Sequence, residues 1–309
     1  MRRTATRPML AAEFDVTPPR DPGSASRTYL VCSTPRSGST LLCSGLHRTG
    51  LAGTPTEYFN IGFRATLAAR WGTRGDLGAY VRELRARRSS ANGVFGAKLH
   101  WSHLDELRRE TNRTARRTVE PSAALTLLAE LFPDATYVHM RRADADRQAV
   151  SYWKAAYTGA WHRGAGEAAG ARPEVPYNFR AISRLRTAIL RDDALWAEAL
   201  ARGAVPVVEL TYEELVAAYP ATISSLVEQV SGDALPAADV PEPELRQQTD
   251  EQTEVLLERF RRDSALRRRP PLEDARDVVL DLWVRARTFP YGAVARERLS
   301  EVARSRPSR

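Results

Sequence analysis

Residues 28–40, Thr28-Tyr-Leu-Val-Cys-Ser-Thr-Pro-Arg-Ser-Gly-Ser-Thr40, decide how the rest of the chain is read. A short apolar run at 29–32 predicts a strand. A turn of small and polar residues follows, and then Leu41, Leu42 and Leu46 fall at helical spacing. Strand, small-residue loop and helix N-terminus together make an anion cradle, because loop and first-turn N–H groups converge and the helix dipole adds to their pull. Arg36 supplies a permanent forked cation, and Ser37, Ser39 and Thr40 supply hydroxyl donors around Gly38. The ligand expected there is a phosphate-like group.

What the loop lacks narrows the chemistry. A nucleotide-hydrolysing loop reads G-x-x-x-x-G-K-[ST], with its lysine on the phosphates and its Ser/Thr on magnesium. Here Ser33 stands at the first glycine and Ser39 at the lysine. The later apolar stretch 136–140 ends in Arg141-Arg142, with no acid to hold a metal. Such a loop suits transfer of a group that needs no metal site.

Composition sets outer bounds. The 309 residues allow one large domain or two small ones, and 43% hydrophobic content supports a sizeable core. No apolar run approaches the length of a membrane span. The only apolar patch near the start, Met9-Leu10-Ala11-Ala12, is too short for a signal peptide, so 1–26 reads as a disordered leader and the expected location is cytoplasmic. Cys32 and Cys43 read as small core residues, not as a disulfide or metal site. The net charge of +8 raises the question of nucleic acid, but there is no zinc-knuckle spacing and no RNP-type motif, and the arginines are scattered. Of 46 basic residues only Lys98 and Lys154 are lysine, which marks each for work that a compact ammonium does and a guanidinium does not.

Alternating signals predict an α/β domain at 27–265: a P-loop-like parallel sheet flanked by helices on both faces, with helical insertions. The strands expected are 28–33, 94–98, 135–140 and 205–210. The helices expected are 39–49, 64–71, 76–89, 101–110, 121–131, 144–158, 178–202, 212–218, 220–231 and 251–263. The Gly- and Ala-rich stretch 159–177 reads as a mobile loop, and 266–309 as a C-terminal helical extension with an amphipathic segment at 278–286 and a frayed end. Ligands of parallel sheets sit at the carboxyl ends of strands. The loop 34–39, Lys98 to His100, and Arg141-Arg142 should therefore converge.

Several stretches together resemble the PAPS-dependent sulfotransferases of the Stf0 type: Arg36-Ser-Gly-Ser-Thr-Leu-Leu42, Gly53-Thr-Pro-Thr-Glu-Tyr-Phe59, Gly93-Val-Phe-Gly-Ala-Lys-Leu-His-Trp101, Arg142 through Gln148-Ala-Val-Ser-Tyr-Trp153, and Glu258-Arg-Phe-Arg-Arg-Asp263. The ordered set covers about 28–263. The resemblance implies 3′-phosphoadenosine 5′-phosphosulfate (PAPS) as donor, leaving as 3′-phosphoadenosine 5′-phosphate (PAP). It also implies a small-molecule hydroxyl acceptor such as a carbohydrate or glycolipid, no metal, and allows a homodimer. Sulfuryl transfer is in-line substitution in which positioning and charge stabilisation do most of the catalysis. Arg36 to Thr40 would hold the 5′-phosphosulfate. Arg142 and Ser151 would clamp the 3′-phosphate, with Arg141 a near competitor, and Tyr212 would meet the adenine.

Two residues compete for the base that activates the acceptor. Glu57 matches the carboxylate proposed as base in the Stf0 branch, and beside Tyr58 and Phe59 it is expected to be desolvated and raised toward working pH. His100 is the rival, since Lys98-Leu-His100 resembles the Lys-x-His of cytosolic sulfotransferases. Lys98 and His100 share one strand face. The preferred assignment makes Glu57 the base, Lys98 the stabiliser of charge on the bridging oxygen, and His100 a neighbour of the acceptor. No role is assigned to His103, His139, His47 or His162. Trp101, Trp153 and Trp161 read as core or as sugar-stacking rings, and 58–90 with 155–180 are expected to set the acceptor. The alternative is a P-loop-type small-molecule kinase or a non-catalytic nucleotide-binding protein.

Overall fold

A computed structural model describes residues 14–15, 21, 27–114, 118–161, 174–243 and 251–266. Most of the expected leader, the centre of the 159–177 loop, His162, and the tail beyond 266 with its segment at 278–286 lie outside the described residues.

Four strands form one parallel sheet: β1 (Arg27–Ser33), β2 (Val94–His100), β3 (Ala135–Arg141) and β4 (Val207–Thr211), in the order β2-β1-β3-β4. Among the described residues ten α-helices connect and cover them. These are α1 (Ser39–Arg48), α2 (Ile61–Arg70), α3 (Leu77–Arg88), α4 (Trp101–Thr114), α5 (Leu125–Leu131), α6 (Ala145–Thr158), α7 (Phe179–Gly203), α8 (Tyr212–Ala217), α9 (Tyr219–Ser231) and α10 (Glu251–Ala265). None is long and apolar enough to cross a membrane.

The alternation along β1 explains why helices lie on both faces. Leu30 and Cys32 point into one core with Phe95, Ala97 and Leu99 of β2, covered by α3, α4, α5 and the C-terminal half of α7. Tyr29 and Val31 point into a second core with Val138 and Met140 of β3, covered by α1 and α9. Each fully buried Leu, Ile or Val in these layers is worth about 1.5–3 kcal/mol. A third cluster joins α6, α7 and α10 through Val150, Trp153, Ile182 and Phe260.

The strands and helices expected between 28 and 263 are all present, with shifted ends. β2 runs two residues past the expected Lys98, because Leu99 is still needed in the first core and His100 still pairs with Ser33 of β1. α2 begins three residues early at Ile61, where the Asn60 side chain caps the helix by accepting from the Gly62 N–H. Pro121 opens a short 3₁₀ turn (Pro121–Ala123), which delays α5 to Leu125.

Candidate active site

The loop between β1 and α1 turns through two left-handed residues, Arg36 (φ 66°) and Gly38 (φ 93°). Gly38 is the N-cap of α1 and offers no side chain to the first helical turn, so those N–H groups are left for a ligand. Glycine is needed there twice over: the φ is positive, and a Cβ would overlap the Tyr212 ring. α6 holds the loop from the side, the Gln148 amide donating to Thr34 Oγ1 (2.9 Å) and to the Pro35 carbonyl (2.8 Å).

Arg36 points across this loop. Its Nε donates to Ser151 Oγ at 3.1 Å and its Nη1 to the Trp161 carbonyl. Burial, and then the Arg142 guanidinium, push Arg36 down to about 10. Arg142 itself is lowered by burial, and its guanidinium lies 4.5 Å above the Tyr212 ring. Tyr212 is set in place as the first residue of α8 by a capping box between Thr211 and Glu214. Two buried polar atoms at this end of the sheet have no hydrogen-bond partner among the described residues, Arg142 Nε and Ser37 Oγ. Two neighbouring cations, these donors and the first-turn N–H groups of α1 make this end of the sheet electropositive. The structure thus brings Arg36, Ser37, Gly38, Ser151, Arg142 and Tyr212 together. Arg141 turns away, half-exposed, toward Glu209 (3.4 Å).

A second cluster lies beside the first, with Lys98 as the joint. Lys98 Nζ donates to Thr40 Oγ1 at 3.0 Å and pairs with Glu57 Oε1 at 2.9 Å. The same Glu57 oxygen sits 3.4 Å from His100 Nε2. Ser39 is buried in the first turn of α1. Glu57 arrives on the segment after α1, which hydrogen-bonds along β2 through the Lys98 N–H and the Thr56 carbonyl (2.9 Å). Gly53 (φ 67°) permits this approach, since a Cβ there would meet the Val94 carbonyl at 2.7 Å.

The electrostatics of Glu57 overturn one expectation. Burial pushes its carboxyl up, but its neighbours, the Lys98 ammonium first, outweigh it, and Glu57 is held well below the usual carboxylate range. The expected raising failed because Tyr58 and Phe59 turn into the first core, leaving Glu57 facing charges.

His103 belongs to this cluster, although its position in the sequence gave it no role. Its Nδ1 accepts the His100 backbone N–H at 3.3 Å, its ring centroid lies 5.1 Å from that of His100, and its Nε2 is 4.0 Å from Glu57 Oε2. Burial, then His100, push it down to about 3, so it is neutral. The only sequence signal was its place one helical turn after His100. Trp101 and Trp153 are core residues, while Trp161 is half-buried with its ring against Tyr152.

A cleft of about 400 Å³ opens beside these clusters, between α4 and α7. Pro35 and Tyr152 form its end nearest the loop, and Asp105, Glu106 and Asp192 bring carboxylates to its walls. All of its lining falls outside 58–90 and 155–180, the stretches expected to surround an acceptor.

Comparison with known proteins decides the kinship. The family model of the Stf0 sulphotransferases matches residues 28–263. The chain belongs to the Stf0 sulphotransferase family. Trehalose 2-sulfotransferase of Mycolicibacterium smegmatis is 26% identical over 260 residues, covering 76% of this chain and 95% of that protein. Trehalose 2-sulfotransferase of Mycobacterium tuberculosis is 26% identical over 263 residues, covering 78% of this chain and 96% of that protein. This Stf0 member is accordingly a sulfotransferase, an enzyme that moves a sulfuryl group from a donor. Every stretch on which the resemblance was read lies within the matched residues.

Proposed function

We propose that this enzyme transfers a sulfuryl group from PAPS to a hydroxyl of a small carbohydrate-type acceptor, releasing PAP. The observation that carries the donor assignment is that Arg142 Nε, beside the Tyr212 ring, and Ser37 Oγ, next to Gly38, are buried with no partner among the described residues. Buried donors of this kind cost free energy unless a ligand pairs with them. Arg36, Ser37, Gly38, Ser39 and Thr40 bind the 5′-phosphosulfate. Arg142 and Ser151 bind the 3′-phosphate, and Tyr212 packs on the adenine.

Lys98 borders both Thr40 and Glu57, which suits it to stabilise charge on the oxygen that bridges sulfur and the 5′-phosphate. Glu57 and His100 face the side from which an acceptor hydroxyl would attack. The acceptor enters by the cleft between α4 and α7, where carboxylates (Asp105, Asp192) paired with arginines (Arg108, Arg109, Arg191) offer a hydroxylated molecule both acceptors and donors. The two relatives act on trehalose by name, which makes it the first acceptor to try.

A thermal-shift comparison tests the donor. PAP should stabilise the protein and ATP with Mg²⁺ should not; stabilisation by ATP–Mg²⁺ alone overturns the reading in favour of a kinase. An acceptor screen with PAPS, starting from trehalose and other sugars and read by mass spectrometry, should find an added sulfate.

A further inference from the structure

Glu57 has the position of a base, yet Lys98 holds its carboxylate low, and a carboxylate held low is a weak base. The partners of His100 resolve the conflict. His100 Nδ1 faces two oxygens of Ser33, Oγ at 3.1 Å and the carbonyl at 3.4 Å. The carbonyl accepts only, and the Ser33 hydroxyl has the Leu99 carbonyl as its own acceptor at 3.4 Å. Nδ1 thus has acceptors in Ser33, and Nε2 has one in Glu57 Oε1, 3.4 Å away. A neutral ring has one N–H, so it satisfies one of these contacts and leaves the other without a donor.

We propose that Glu57 and His100 act as one proton-accepting dyad, with Ser33 the positioning residue that fixes the tautomer of His100. With a proton on Nε2, both ring nitrogens are donors and both have acceptors in place, Ser33 on one side and Glu57 on the other. The surroundings of His100 thus fit the ring after it has taken the proton, which is how a site favours a transition state over its ground state. The other charged or titratable groups around the ring are Lys98 on β2, His103 on α4 and Asp192 on α7. His103 is neutral and adds no competing charge.

The role in turnover rests on the sulfuryl-transfer reading above; the tautomer does not. In the step itself the acceptor oxygen forms a bond to sulfur, and the bond from sulfur to the 5′-phosphate oxygen breaks with its electron pair going to PAP. The hydroxyl proton passes to the dyad, comes to rest on Nε2, and leaves to water afterwards.

Nitrogen NMR of histidine-labelled protein reads the tautomer without any substrate. The chain has five histidines, and His100→Asn identifies the signal. Neutral His100 should carry its proton on Nδ1, and Ser33→Ala, which removes the 3.1 Å hydroxyl contact and keeps only the longer one to the carbonyl, should move it toward Nε2, where Glu57 is then the better acceptor. A proton on Nε2 in the wild type, or no change in Ser33→Ala, overturns the proposal. Should Ser33→Ala not fold, the wild-type signal decides alone. With PAPS and trehalose, Glu57→Gln and His100→Asn should each cost about 10²- to 10⁴-fold in kcat. The double variant should cost little more than the worse single one, as for groups acting as a unit. Losses that multiply overturn the dyad. A wild-type protein that sulfates nothing in the screen refutes the reaction and leaves the NMR result to decide the tautomer.

Discussion

Arg142 and Ser37 carry polar atoms that the fold buries without a partner, at a cost that a folded domain tolerates where a ligand recovers it. This gives Arg142 a specific expectation. Arg142→Ala should weaken PAP roughly 10- to 150-fold, the range of a lost charged hydrogen bond. An analogue lacking the 3′-phosphate should bind wild type and variant alike by calorimetry. An equal loss for that analogue would refute the clamp. The choice between Arg141 and Arg142 was not legible in the sequence, where the two are adjacent and identical. The pairing of β3 with β4 separates the two: Arg141 lies beside Thr211 on the edge strand and meets Glu209, while Arg142, one residue on, lies over Tyr212. Glu57 shows the same limit differently. Its aromatic neighbours were visible in the sequence, but the direction in which they point was not, so its expected shift had the wrong sign.

At the scale of elements, the site depends on α1, α6 and α8 meeting at the ends of β1 and β3. At Gly38 the start of α1 packs directly against the Tyr212 ring of α8, the missing Cβ leaving room for it. Gly38→Ala should therefore destabilise the protein by about 1–3 kcal/mol, the usual cost of overpacking, and also weaken PAP by displacing Tyr212. Melting curves with and without PAP measure both. A variant that melts and binds like the wild type would show that the loop is not constrained in this way. The elements themselves were legible because their periodicity is strong: β1 alternates between two cores, and α7 repeats its apolar residues over 25 positions. Their ends were less so. The end of β2 depends on pairing with Ser33 and the start of α2 on a side-chain cap, and neither is a property of local hydrophobicity.

Across the whole molecule, the sheet places the β1–α1 loop, the end of β2 and the turn after β3 at one end, as the parallel order of its strands required. The cleft was not legible in that order, since α4 and α7 are distant in sequence and meet only through packing, with Trp101 set edge-on against Trp196. Pro35 and Tyr152 bring the cleft up to the β1–α1 loop, but Arg36, Ser37, Gly38, Ser151, Arg142 and Tyr212 do not line it. If the acceptor uses the cleft, the two functions separate. Ala188, on the cleft side of α7, lies away from Arg36, Arg142 and Tyr212. Ala188→Trp should fill much of the cleft, leave PAP affinity within about twofold of wild type, and lower turnover with PAPS at least tenfold through the acceptor KM. The acceptor and donor KM values, measured separately, check this. A variant with unchanged acceptor KM would place the acceptor outside the cleft, and one that loses PAP affinity would show that α7 also shapes the donor pocket.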